Sequence, residues 1–347
     1  MEKRIVVIGV FFSLMAVSCT KTDLGSDQKL TLRQSVENNV NKVNNALTKI
    51  SQTKGFQLLS INEGSLKSAN SYSDSITLKL IAGIYTFQPD TANRSVHLNT
   101  CRLFKKTGDS EMLIVNLPQK LIFHPRHLHN FNPLDSTLKN DFKITATDYH
   151  FYYSRWDQYD YKISAGFNLD TANLGNLDLT SGANPTSGYT WSSKYSFTGG
   201  YNITVSGQTG DTTRMAFSLS NRTETLLKET VTFVRSGFRI TERQYVLSIG
   251  NVDIKRSSGI DSIQVYLNGV LQKKAGAKII ESANDEGSIC HSRDIQLTFD
   301  DGTTINLSTL IQPAMTTLKT LVNSLHSMYF AKNIVDYIAI NIYYYSH

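Results

Sequence analysis

Two short turn signals constrain this chain more than any other feature. "IQVYLNGVLQ" (263–272) sets Asn268-Gly269 between apolar runs, and "IQLTFDDGTTINL" (295–307) does the same with Asp301-Gly302. A two-residue hairpin loop needs positive φ at its centre, which Asn-Gly and Asp-Gly adopt most readily, and its twist matches that of the flanking strands. Loops that short join only antiparallel neighbours, because a parallel pair needs a crossover of a dozen or more residues. Gly199-Gly200 within "YSFTGGYNITV" (195–205) reads as a further hairpin.

Other runs fit the same plan. "SITLKLIAGIYTF" (75–87) and "EMLIVNL" (111–117) read as buried strands. "FKITATDYHFYYSRW" (142–156) alternates, with Tyr149, Phe151 and Tyr153 on one face and His150 and Tyr152 on the other. The chain carries 17 Tyr and 16 Phe but only 6 Pro, a balance that favours half-buried strands. No alternation of strand and helix suggests a parallel sheet.

Two helices flank the strands. Leu32, Val36, Val40, Val43, Leu47 and Ile50 fall on one helical face. Thr31 and Gln34 have capping-box spacing, and Lys54-Gly55 supplies a stop. The stripe is too short for a persuasive coiled coil and is expected to pack on a sheet. A second amphipathic helix is expected over 313–330, with Pro313 in its first turn. A final strand is expected over 334–345.

The expected fold class is therefore mainly β, a β-rich α+β arrangement. Its antiparallel sheets form a sandwich or a partly open barrel, with an N-terminal amphipathic helix and one helix near the C-terminus. The low-hydrophobicity stretch 169–188 is the best candidate for a boundary or long surface loop. That gives 30–185 as an N-terminal helix plus β-rich region and 186–347 as a second β-rich region with the C-terminal helix and strand. One continuous domain over 30–347 is equally compatible.

The N-terminus reads differently. Lys3 and Arg4 precede an apolar run over 5–17, and small residues lead to Cys19. This is the pattern of a secretory signal over 1–18, too short to span a bilayer. Ala16-Val17-Ser18-Cys19 resembles the bacterial lipobox, with Ala16 where the family most often has leucine. The resemblance covers only these first residues. It implies cleavage before Cys19, lipid on its sulfur and amine, and a tether over 19–29. Two or more acyl chains anchor stably where one does not. By composition the sequence also resembles envelope lipoproteins of Gram-negative bacteria, many of them encoded beside glycan-uptake systems. The expected location is the cell envelope, lipid-anchored, at the outer membrane, facing either side.

With Cys19 lipidated, Cys101 and Cys290 remain. In an oxidising compartment they either form a disulfide or stay as two buried thiols. A bridge would close a loop of roughly 190 residues and contribute up to about 5 kcal/mol.

The net charge of +6 is spread among interspersed acids and bases, which argues against a nucleic-acid groove. The expected partners are the membrane through the lipid anchor and a glycan or another envelope protein. His124, His127 and His129 are the only clustered imidazoles, but Pro125 and Pro133 mark a loop there and no acidic residue or cysteine completes a ligand set, so no metal and no cofactor is expected. No nucleophile elbow, zinc-protease motif or phosphate loop is present, so no catalytic residue is assigned. Tyr149, Phe151, Tyr153 and Trp156 are candidate ligand-binding residues, since an aromatic row can stack on sugar rings; core packing is the competing role. The leading expectation is a non-enzymatic binding or scaffold protein of the envelope. A lipid or lipoprotein carrier is the alternative, because the order of helix, strands and helix broadly resembles the open-barrel fold of periplasmic lipoprotein chaperones. An envelope-polymer hydrolase is the second alternative.

Overall fold

The computed structural model describes residues 30–60, 75–88, 103–122, 138–186, 188–237, 239–259, 263–282, 292–323 and 329–346. Cys19, Cys101, Cys290, His124, His127 and His129 lie outside them. The fold is mainly β and almost wholly antiparallel. The chain divides into two units, Met1–Lys49 with Ala216–Thr320, and Ile50–Met215 with Leu321–His347.

Helix α1 (Leu32–Ser51) opens with the expected capping box. Thr31 N donates to Gln34 Oε1 at 3.0 Å, and Gln34 N donates to Thr31 Oγ1 at 3.3 Å. All six residues of the apolar stripe are buried, with Val36, Val43, Leu47 and Ile50 wholly so. Each full burial of this kind contributes about 1.5–3 kcal/mol. Polar residues beside the stripe fix the helix within the first unit. Asn39 Nδ2 donates to the Ile249 carbonyl at 2.9 Å, and Asn44 Nδ2 to the Leu310 carbonyl at 3.1 Å. The stripe thus packs inside the chain. Lys54-Gly55 does not end α1; both residues lie in the next helix, α2 (Lys54–Ser60), where Thr53 Oγ1 accepts from Phe56 N. Gly55 is required there by contact, since a Cβ would sit 2.1 Å from the Leu174 carbonyl oxygen.

The second unit continues with β1 (Ser75–Thr77), α3 (Leu78–Ile81), β2 (Gly83–Phe87), β3 (Phe104–Gly108), β4 (Leu113–Leu117) and α4 (Gln119–Ile122). The single strand expected over 75–87 is therefore broken by a helical turn. Five long strands follow: β5 (Phe142–Arg155), β6 (Gln158–Leu169), β7 (Ala172–Asn184), β8 (Gly188–Phe197) and β9 (Asn202–Thr209). Their spatial order is β3-β2-β4-β5-β6-β7-β8-β9, with β1 beside the far half of β5. The β2–β4 pair is parallel, with Gly83 beside Leu113 and Thr86 beside Asn116. The stretch expected as a loop, 169–188, is mostly strand β7. Leu177 and Leu179 enter the core at period two while Asn176, Asp178 and Thr180 face water.

Strand β10 (Thr212–Ser220) carries the chain from one unit into the other. The first unit then adds β11 (Thr225–Ser236), β12 (Arg239–Ile249), β13 (Val252–Ser257), β14 (Gln264–Leu267) and β15 (Val270–Leu271) as consecutive antiparallel neighbours. Asn268 and Gly269 both have positive φ, 51° and 77°, as the hairpin signal required. A separate three-stranded sheet holds β16 (Gly276–Ser282), β17 (Ser292–Thr298) and β18 (Thr304–Asn306). The last two are joined by a three-residue turn, Asp300-Asp301-Gly302, rather than the expected two-residue one: Phe299 N donates to the Thr303 carbonyl at 2.9 Å, and positive φ falls on Gly302 alone, at 79°.

Helix α5 (Leu307–Asn323) starts directly after β18, so Pro313 lies inside it rather than in its first turn. Its start is set from a distant strand. Buried Asp294 on β17 accepts from Ser308 N at 3.3 Å, and a carboxylate at a helix N-terminus is favourable there. The last element is α6 (Tyr329–Ser346), a helix where a strand was expected over 334–345. Ile334, Val335, Ile338 and Ala339 are its buried residues, which is helical rather than alternating spacing. α6 belongs to the second unit.

Candidate functional site

The site is built on one face of β5–β8. Strand β5 begins with Phe142, Ile144 and Ala146 buried, an even-numbered alternation. Between Ala146 and Asp148 the register to β6 slips by one, so Thr147 is an extra residue. Such a bulge re-aims the side chains beyond it. Tyr149, Phe151 and Tyr153 consequently share the face of Phe142 and Ile144, opposite Ile163, Tyr161 and Tyr159 on β6. Asp148 is turned to the other face, where Lys162 pairs with it.

Following the register across β7, β8 and β9 gives rows of facing side chains. The deeper rows are mostly buried: Ala146, Ala165, Leu177, Tyr195 and Ile203, then Tyr149, Ile163, Leu179, Ser193 and Val205. The next row is Phe151, Tyr161, Ser181, Trp191 and Gly207, and the outermost is Tyr153, Tyr159, Ala183, Tyr189 and Thr209. The face thus changes from buried core to half-buried and exposed rings toward the ends of the strands.

Each outer row sets two neighbouring rings, a small residue, a third ring and a small residue side by side. The Tyr153 and Tyr159 rings stack at 6.4 Å between centroids and 27° between planes. Tyr189 continues the series at 6.2 Å from Tyr159. The Trp191 indole covers Gly207, where a Cβ would come within 2.2 Å of its Nε1. Only glycine on β9 leaves room for the indole there. Tyr153, Tyr159 and Trp191 are half-buried, and Tyr189 is exposed. Tyr159 Oη and Ser181 Oγ share a hydrogen bond of 3.1 Å between the rings, and burial pushes the Tyr159 hydroxyl up to about 12.

Beneath this surface lies a buried polar cluster. Tyr149 Oη and Tyr161 Oη both donate to Asp336 Oδ1 of α6, at 3.0 and 2.9 Å. Lys332, one turn earlier on α6, donates to Asp336 Oδ2, and its Nζ sits 4.6 Å from the centre of the Tyr161 ring. Burial, reinforced by the Asp336 charge, holds both phenols well above their ordinary range. Asp336 is thus occupied by three donors and both tyrosines stay protonated at neutral pH. The chemistry of this cluster is to hold α6 on the sheet.

The four aromatic residues expected to bind ligand are therefore divided. Tyr149 is buried and serves the Asp336 cluster, while Phe151 and Tyr153 share the aromatic face. Trp156 stands in the β5–β6 turn at 80% exposure. Tyr189 and Trp191 complete the platform from β8, a strand that sequence reading did not connect with β5. Among the described residues no group of three His, Cys, Asp or Glu side chains gathers as a metal set, and no helix is long and apolar enough to cross a membrane. No family matches the sequence, no curated protein is similar to it, and no solved structure matches the fold.

Proposed function

We propose that this protein is a lipid-anchored, non-enzymatic binding protein of the cell envelope, and that the aromatic end of the β5–β8 face is its ligand surface. The ligand that suits this surface is a glycan. The observation that carries the reading is the indole of Trp191 covering Gly207, one row in from the ring series of Tyr189, Tyr159 and Tyr153. Sugar rings present an apolar face of C–H groups, which stacks on aromatic rings, and an equator of hydroxyls. The Tyr159 and Ser181 hydroxyls and the Asp157 carboxylate at the β5–β6 turn are of the polar type that fixes orientation in such sites. Rings of this amphipathic kind are favoured where one side is apolar and the other wet.

The test is electrophoresis of the full chain through native gels containing neutral polysaccharides. Retardation in at least one gel is expected, and the Tyr189→Ala/Trp191→Ala variant should migrate as in a plain gel. Retardation in none, or retardation the variant keeps, refutes the reading. Release of shortened products from the same polysaccharides would instead support the hydrolase alternative. The anchor is tested separately by intact mass of the native protein, which should begin at Cys19 and carry acyl chains.

A further inference from the structure

The β11–β12 hairpin outruns its own buried base. Leu226 and Leu227 are buried on β11, whereas positions 235–237 and 239–244 are all exposed. One face of this projecting end is unusual in content. The register places Phe233 opposite Arg243, Arg235 opposite Ile240, and Tyr245 opposite Arg256 of β13. A slip between Val234 and Arg235 leaves Thr241 as an extra residue on β12, and its hydroxyl donates to the Val234 carbonyl at 3.2 Å. That bulge brings Ile240, rather than Thr241, opposite Arg235. Phe233, Arg235, Ile240, Arg243 and Arg256 thus form one surface.

The three arginines on it are exposed, and among the described residues none of their guanidinium groups is ion-paired. Glu242 pairs with Val234 and points to the opposite face. Glu229, farther down the same face, is half-buried beside Tyr245. Ile240 is 39% exposed between the charges.

We propose that this face of the hairpin rests on an anionic phospholipid surface, as a protein contact with the membrane distinct from any lipid on Cys19. Charge complementarity favours an anionic partner, and the apolar residues between the arginines favour a bilayer over a soluble polyanion. At the interface a guanidinium stays at phosphate level while its stem and neighbouring apolar groups enter the acyl boundary. A soluble polyanion would satisfy the arginines and leave Phe233 and Ile240 in water. Each basic residue near an anionic leaflet strengthens binding roughly fivefold.

The test compares the chain carrying Cys19→Ser, so that no acyl anchor forms, with the same chain also carrying Arg235→Gln/Arg243→Gln, by flotation with two kinds of vesicle: phosphatidylcholine alone, and equal parts phosphatidylcholine and phosphatidylglycerol. Hydrogen exchange is followed on both. The parent should favour the anionic vesicles, and the variant should lose roughly 25-fold of that preference while melting as the parent does. Exchange over 232–244 should slow only on anionic vesicles. Equal flotation on both vesicles, an unchanged preference in the variant, or unaltered exchange in the hairpin would overturn the proposal. So would heparin slowing exchange there more than vesicles do.

Discussion

Replacing Asp336 isolates what holds α6 on the sheet. In Asp336→Ala the Tyr149 and Tyr161 hydroxyls lose their shared acceptor inside the core, and Lys332 loses its counter-charge. A buried polar group left without a partner costs about 1–3 kcal/mol, and removing one member of a fully buried ion pair costs about 3–5 kcal/mol, an upper figure for Lys332, whose side chain is 24% exposed. The two penalties overlap, because the same carboxylate serves all three donors, so the expected loss is about 3–5 kcal/mol rather than their sum. Asp336→Asn keeps the shape and an acceptor for both phenols and loses mainly the charge-assisted part, about 1–2 kcal/mol. Urea unfolding at neutral pH separates the two. With a slope of about 3 kcal/mol per molar, the alanine change lowers the midpoint by more than about 1 M and the asparagine change by about half a molar. An alanine variant within about 1 kcal/mol of the parent, or an asparagine variant as damaged as the alanine one, would refute the argument.

Other substitutions probe the remaining chemistry. Burial raises the folded-state value of Glu229 above that of a free glutamate, so the folded chain holds that proton more tightly than the unfolded one. Stability therefore falls as pH rises through the interval above the ordinary glutamate value, and Glu229→Gln should be more stable than the parent at neutral pH but not at pH below about 4; melting at both pH values checks this. In Gly207→Ala the new methyl displaces the Trp191 indole, so glycan retardation should be lost while the unfolding midpoint shifts by less than about 1 kcal/mol equivalent.

Local rules made part of this fold legible. Asn268-Gly269 demanded positive φ at both positions and Gly302 at one, and the Thr31–Gln34 box needed only residues three apart. The apolar stripe of α1 likewise followed from period alone. What escaped was set by contacts distant in sequence. The composition of 334–345, rich in Ile and Tyr, reads as strand, yet packing of Ile334, Val335 and Ile338 and the anchor at Asp336 impose a helix. The start of α5 is fixed by Asp294, thirteen residues before the helix begins, and so Pro313 misled as a first-turn marker. Strand β7 hid because small polar residues on its wet face diluted the hydropathy of 169–188. The candidate site shows the same division. Aromatic residues on β5 were visible, but their face depends on the Thr147 bulge, and Tyr189 and Trp191 join them only through three steps of strand register.

The chain has two tryptophans, so Trp156→Phe leaves Trp191 as the sole indole and makes the platform its own reporter. Titrating this single-tryptophan protein with soluble neutral oligosaccharides, and following its emission, is the most direct test of the proposed ligand surface. A saturable change is expected with at least one of them, abolished by Tyr189→Ala. Emission that stays constant across the whole panel, while the protein remains folded, would contradict it.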